Sequence, residues 1–303
     1  MRKFTRISLI VVAAMAGAGF LLMGIASAMG AGYGTIRRMM QSGELNFDGW
    51  HFDNGFYWDG SDEDDDFQVN AGGVYSYPVE TIRNLDLDFD AADLKVLEGE
   101  DDSHIVVKIK GGKTDYFEGG MDGDTLKLSY EMKRQKSVPG ITVEIPEGMS
   151  FGKISMEIGA SDVRFEPEDI VCEELSMDAG AGSVSFQDLQ VTGKLSAAIN
   201  AGNITFEDMV CQTAELDCDL GSVFMSGTIA GDLKAECNMG SIELCLAGNE
   251  NDYNYDLSCD MGELSVNGEQ YTDIGGSRKV TNQGAVGTIE VSCNMGTVYL
   301  DIE

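Results

Sequence analysis

Proline is nearly absent from this 303-residue chain, which holds only Pro78, Pro139, Pro146 and Pro167. A backbone that keeps its N–H groups this way suits long hydrogen-bonded strands. Histidine is scarcer still: His51 and His104 are the two, so no imidazole base exists beyond residue 104. Past residue 150 the basic side chains are Lys153, Arg164, Lys194, Lys234, Arg278 and Lys279. Against 20 Lys and Arg stand 52 Asp and Glu, a net charge of −32. That imbalance excludes nucleic acid as a partner and opposes docking of the body onto an anionic lipid surface. Calcium, cationic surfaces and basic proteins stay electrostatically acceptable.

Reaction motifs are missing too. No Cys-x-x-C, serine-nucleophile motif or phosphate-cradling loop occurs. Polysaccharide lyase chemistry needs a base beside carboxylates or calcium, and the few scattered cations supply no such cluster. A two-carboxylate hydrolase stays open on composition alone, although Asp and Glu are expected anyway on solvated sheet faces. The expectation is no enzyme, no cofactor and no metal.

What the chain does have is one phrase repeated. Cys218-Asp219-Leu220-Gly221, Cys237-Asn238-Met239-Gly240, Cys259-Asp260-Met261-Gly262 and Cys293-Asn294-Met295-Gly296 are four copies. Looser copies end at Gly182 and Gly202. The six glycines are 20, 19, 19, 22 and 34 residues apart, a period near twenty that tolerates insertions. Such a period marks a solenoid whose repeats stack as rungs, each on the last. Around each glycine, apolar residues recur at every second position, as in Leu216, Cys218, Val223 and Met225. This is the alternation of strands with one buried face. The glycine itself suits a turn with positive φ. Equivalent strands of neighbouring rungs should pair in parallel about 4.8 Å apart, so equivalent residues form columns. Ile158–Phe165 is an earlier rung with Ser161 in the glycine position, and Leu87–Val96 is a weaker candidate. A rung of about twenty residues fits two sides or three.

The element Ile141-Thr142-Val143-Glu144-Ile145-Pro146-Glu147-Gly148, followed by glycine-marked rungs, resembles a bacterial β-strand-repeat family of unknown function classed as adhesin-like. The resemblance covers roughly residues 74 to 303. It implies an extracytoplasmic or membrane-anchored β-solenoid.

At the N-terminus, Arg2, Lys3 and Arg6 precede an uncharged apolar run from Ile7 to Ala28. A helix of that length spans about 33 Å, enough for a hydrocarbon core of about 30 Å. The flanking cations favour a cytoplasmic N-terminus with the remainder outside. A cleaved signal peptide is the alternative, since Ala26-Ser27-Ala28 fits the small-x-small pattern. The expected organisation is an anchor or signal at 1–29 and an aromatic, acidic linker at 30–73. The solenoid follows at 74–303, with irregular cap strands at 74–150 and regular rungs at 151–303. The linker carries both tryptophans, Trp50 and Trp58, and the run Asp62-Glu63-Asp64-Asp65-Asp66. That run lacks the spaced ligands and glycine of a calcium loop.

Seven cysteines admit a metal, disulfides or packing. The repeated ones come from different rungs, and a line of sulfurs fits poorly to the tetrahedron that zinc prefers. They replace Ala179 and Ile199 of earlier rungs, so a buried ladder of small side chains is the expectation. Insertions in a solenoid become loops on one edge. Gly248–Tyr255 and Asn267–Thr288 are the two here, and they make Tyr253, Tyr255, Tyr271, Arg278 and Lys279 the candidate binding residues.

The all-β solenoid is therefore expected to work by display, scaffolding or envelope sensing, with a glycan or an envelope protein as partner. Because Asp301–Glu303 directly follow the last strand, end-to-end self-association is also expected to be available.

Overall fold

The computed structural model describes residues 50–51, 57–58, 73–131, 138–167, 169–271 and 276–302. The apolar run at 7–28 and nearly all of the 30–73 linker lie outside the described residues. Within the linker, β1 (Trp50–His51) pairs antiparallel with β2 (Tyr57–Trp58), and both belong to a unit separate from the one that begins at Phe67. Among the described residues no helix is long and apolar enough to cross a membrane.

The second unit is all-β. Its strands are β3 (Val74–Pro78), β4 (Asn84–Phe89), β5 (Asp93–Glu98), β6 (His104–Lys110), β7 (Phe117–Asp122), β8 (Thr125–Tyr130) and β9 (Gly140–Ile145). The regular part follows as β10 (Ser150–Phe165), β11 (Val171–Gln187), β12 (Gln190–Ile229) and β13 (Leu233–Leu246). β14 (Tyr253–Val266), β15 (Glu269–Tyr271), β16 (Gly276–Val280) and β17 (Gly287–Ile302) complete it.

Neighbouring rungs pair in parallel and in register, as with Ile154↔Leu175, Ile158↔Ala179 and Phe165↔Phe186 between β10 and β11. Each complete rung has two long arms and a short third segment. In β11 these are Glu174–Ala179, Ala181–Gln187 and Val171–Cys172, with a register shift against β12 between Cys172 and Glu174. The arms meet at the glycine. Gly182, Gly202, Gly221, Gly240, Gly296 and Gly262 all have φ between 126° and 152°. They stack so closely that a Cβ on Gly240 would lie 1.6 Å from the Gly221 carbonyl oxygen. A second corner, six residues on, places Asp188, Asp208 and Gly227 at positive φ. Asp tolerates this left-handed backbone better than most residues.

Inward columns run the length of the stack. Phe165, Phe186 and Phe206 are fully buried, with ring centroids 5.3 and 5.2 Å apart. Each buried aliphatic or aromatic side chain contributes about 1.5–3 kcal/mol through removal from water. No single rung can bury its own face, so stability comes from stacking.

Two expectations need correction. The regular stack begins before residue 151: β4 and β5 pair in parallel with β10, and beneath them β8 and β9 form a further rung. The Leu87–Val96 rung is therefore present. Its corner uses Asp90 and Ala92 in place of the glycine, and the Ala92 N–H donates to Ser161 Oγ at 2.7 Å. Rungs also do not all stack in chain order. β17 lies between β13 and β14, paired in parallel with both. The last rung in sequence is thus internal, and the Asp301 end offers no bare terminal rung. The outermost full rung is β14, flanked antiparallel by β15 and β16. At the other end β7, β6 and β3 are antiparallel too. Irregular antiparallel strands at both ends interrupt the parallel template.

Candidate functional site

Placing β17 between β13 and β14 requires the chain to climb two rungs after Leu246, about 9.6 Å. Residues 247–252 make that step, and this accounts for the insertion at Gly248–Tyr255. Tyr253 then starts β14 with its ring buried, 3% exposed, and its hydroxyl donates to the Ile229 carbonyl at 2.6 Å. Tyr255 is 4% exposed, and its hydroxyl donates to the Glu250 carbonyl. Burial, with the nearby Glu250 carboxylate second, pushes the Tyr255 phenol up to about 12. Both tyrosines alternate inward along β14, so they belong to the core and brace the step; they are not exposed loop contacts.

The other three candidates lie on the strands that flank β14. Tyr271 is half-buried on β15, with the Arg278 guanidinium 4.8 Å above its ring. Its hydroxyl donates to Glu269 Oε2 at 3.0 Å, and Arg278 Nη1 lies 3.8 Å from the same oxygen. Arg278 Nε is out of water and has no hydrogen-bond partner among the described residues. Lys279 pairs with Asp256 on β14, which raises the lysine pKa. The structure therefore brings Tyr271, Arg278 and Glu269 together and sets Lys279 apart from them. The arrangement ties the end strands to β14 and leaves cationic groups on one end of an acidic stack.

Around β17 the register is enforced by residues that sequence reasoning missed. Gly287 lies on Gly231, where a Cβ would come within 2.0 Å of the Gly231 carbonyl oxygen. The Thr288 N–H donates to Asp232 Oδ1 at 2.8 Å, and Val286 N–H to the Asp252 carbonyl at 2.7 Å. At the far end Asn267 donates from its backbone to Leu300 O at 2.8 Å, and its Oδ1 accepts from Ile302 N–H at 2.9 Å. A signal existed: Gly231 and Gly287 each precede a corner glycine, Gly240 and Gly296, by nine residues.

Six of the seven cysteines are buried, and all are free thiols in this structure. The repeated ones stack in the spatial order Cys218, Cys237, Cys293, Cys259. Burial pushes Cys172 and Cys211 up to about 12 and Cys259 to about 11. Protonated thiols are poor nucleophiles and poor metal ligands. Among the described residues no group of three or more His, Cys, Asp or Glu is placed to hold a metal.

Two surface features complete the picture. Leu220, Met239, Met295 and Met261 form an apolar row at the glycine corner, with Leu220 and Met261 exposed. An amide ladder runs beside it: Asn294 Nδ2 donates to Asn238 Oδ1 at 2.7 Å, and Asn238 Nδ2 to Asp219 Oδ1 at 2.6 Å. On the second corner, Asp169, Asp188 and Asp208 line an open groove of about 500 Å³.

Residues 82–259, more than half of the sequence, match the family model described as Toastrack DUF4097. The chain belongs to the Toastrack DUF4097 family. No curated protein matches the sequence. Solved structures similar to this Toastrack chain include a putative cell adhesion protein from Clostridium sporogenes, at 12% identity and a TM-score of 0.30, covering 77% of this chain and 100% of that one. A putative adhesin from Bacteroides fragilis is 12% identical with a TM-score of 0.35, covering 77% and 97%. A putative lipid binding protein from Parabacteroides distasonis is 16% identical with a TM-score of 0.28, covering 76% and 96%. Similarity this distant transfers neither ligand nor activity to the Toastrack domain described here.

Proposed function

We propose that this Toastrack protein is a non-enzymatic, membrane-anchored module that displays an acidic β-solenoid outside the cytoplasmic membrane, adhesin-like, for contact with glycans or envelope proteins. The observation that carries this reading is the outer surface of the stack. A few ion pairs bridge neighbouring rungs, as in Lys153–Glu174 and Lys194–Glu215, both at 2.6 Å, while the excess of Asp and Glu over the six Lys and Arg beyond residue 150 keeps the columns acidic. Such exposed pairs contribute little to stability, and they leave long solvated faces in place of a cleft. The uncharged run Ile7–Ala28 behind Arg2, Lys3 and Arg6 supports anchorage with the solenoid outside. End-to-end association would have to use the antiparallel end strands.

A second reading, a carbohydrate-active enzyme, draws on the groove along Asp169, Asp188 and Asp208. Those carboxylates follow one another along a column and do not face each other across a bound sugar. A binding screen of the full chain against cell-wall glycans, host glycans and calcium, with glycan mass followed in parallel, separates the two. Saturable binding without mass loss supports display, and hydrolysis of the glycan overturns it. Carbonate extraction with protease accessibility on intact cells tests the anchor: release into the soluble fraction would sink it.

A further inference from the structure

The position of β17 has a consequence for self-assembly. The strand is hydrogen-bonded on both flanks, from Leu233↔Ile289 to Leu246↔Ile302 on one side and from Tyr253↔Gly287 to Val266↔Leu300 on the other. It fills a slot whose walls, β13 and β14, carry the same inward pattern as the strand itself. We propose that β17 is exchangeable, and that the slot between β13 and β14 takes the same strand from a second copy of this chain.

Three observations carry this. First, the slot is selective. Gly287 must sit over Gly231 and Gly296 over Gly240, since a Cβ at either would fall 2.0 or 1.7 Å from a carbonyl oxygen. An entering strand therefore needs glycine at two positions nine apart, with inward apolar side chains at the places of Ile289, Val291, Cys293, Val298 and Leu300; β17 has them all. Second, β14 cannot collapse into the slot by pairing directly with β13. Tyr253 would then replace Gly287 over Gly231, where no Cβ fits. The vacancy left by a departing β17 stays open, with two unpaired strand edges that no other part of the rung can satisfy. Third, the side-chain bonds that hold the ends of β17 run to Asp232 and Asn267 on the slot, and neither depends on which chain supplies the strand. Exchanged and unexchanged forms therefore share the same local contacts and differ in the connecting segment 281–286 and in concentration, the conditions under which identical elements swap between protomers.

The test uses two full-length chains, one carrying Ser241→Cys and the other Thr297→Cys. Ser241 and Thr297 are register partners of β13 and β17 at the glycine corner, outside the buried columns. In-register parallel partners lie about 4.8 Å apart, within disulfide range. The chains are mixed in mild denaturant below global unfolding, returned to buffer and oxidised, and the products are mapped by mass spectrometry. The expected product is a covalent heterodimer joined at 241–297, lost when the denaturant step is omitted and absent from a control pair of Ser241→Cys with Ser155→Cys. A chain with both substitutions, oxidised before mixing, locks its own strand and should form no dimer. Monomer under all conditions overturns the proposal. So does a covalent heterodimer joined anywhere other than 241–297, or a dimer that survives the intrachain lock, because association then uses another surface.

Discussion

The Tyr253 hydroxyl donates to the Ile229 carbonyl at 2.6 Å, reaching past Gly287 of the strand that lies between β13 and β14. One bond thus links the start of the outermost full rung to the end of β12 and closes over the inserted strand. The substitution Tyr253→Phe keeps the ring and strands a buried carbonyl. It should cost about 1–3 kcal/mol, read as a lower urea midpoint at unchanged m. Unchanged stability would show that the bond does not hold the closure.

The glycine corner predicts a steep contrast between two glycines. Gly240→Ala puts a Cβ 1.6 Å from the Gly221 carbonyl oxygen at φ 149°, so neighbouring rungs must separate. Loss of more than about 3 kcal/mol, or failure to fold, is expected. Gly123→Ala, at φ 65° with open space around it, should cost only about 1–2 kcal/mol of backbone strain. Thermal melts of the two variants decide this, and equal shifts would contradict the stacked-corner account.

The phenylalanine column should behave as one packed unit. Phe186→Ala removes the middle ring from between Phe165 and Phe206 and leaves a cavity in the centre of the stack. A loss of about 3–5 kcal/mol is expected in denaturant unfolding. A loss below about 1 kcal/mol would mean that the rungs collapse around the gap.

The thiols set an alkaline limit on stability. Cys172 and Cys211 rise from 9.0 to about 12 in the folded chain because burial disfavours the thiolate. Below pH 9 the thiols are protonated in both states, and their contribution is constant. Between pH 9 and 12 the unfolded chain releases these protons while the folded chain keeps them. Stability then falls by up to about 1.4 kcal/mol per pH unit for each thiol. Melting temperature should drop across that window, and less steeply in a Cys172→Ala, Cys211→Ala variant. Alkylation at neutral pH should be slow until the chain unfolds; rapid native-state labelling of Cys172 would contradict its burial.

Much of this architecture was legible in the chain. The phrase from Cys237 to Gly240 and its copies announced a stacked β-repeat, because from Gly182 onward each corner carries positive φ and lies so close to the next carbonyl oxygen that only glycine fits. That Leu216, Cys218, Val223 and Met225 point inward followed from alternation alone. Tyr253 and Tyr255 misled, since a tyrosine in an insertion reads as exposed until the path of that insertion is known. Only the tertiary structure decided that path. The four Cys-Asx-(Leu/Met)-Gly rungs carry nearly the same inward pattern, so periodicity specifies what a rung is and leaves open which rung sits on which. That choice rests on contacts between residues far apart in sequence: Gly287 on Gly231, Thr288 on Asp232, and Tyr253 across to Ile229.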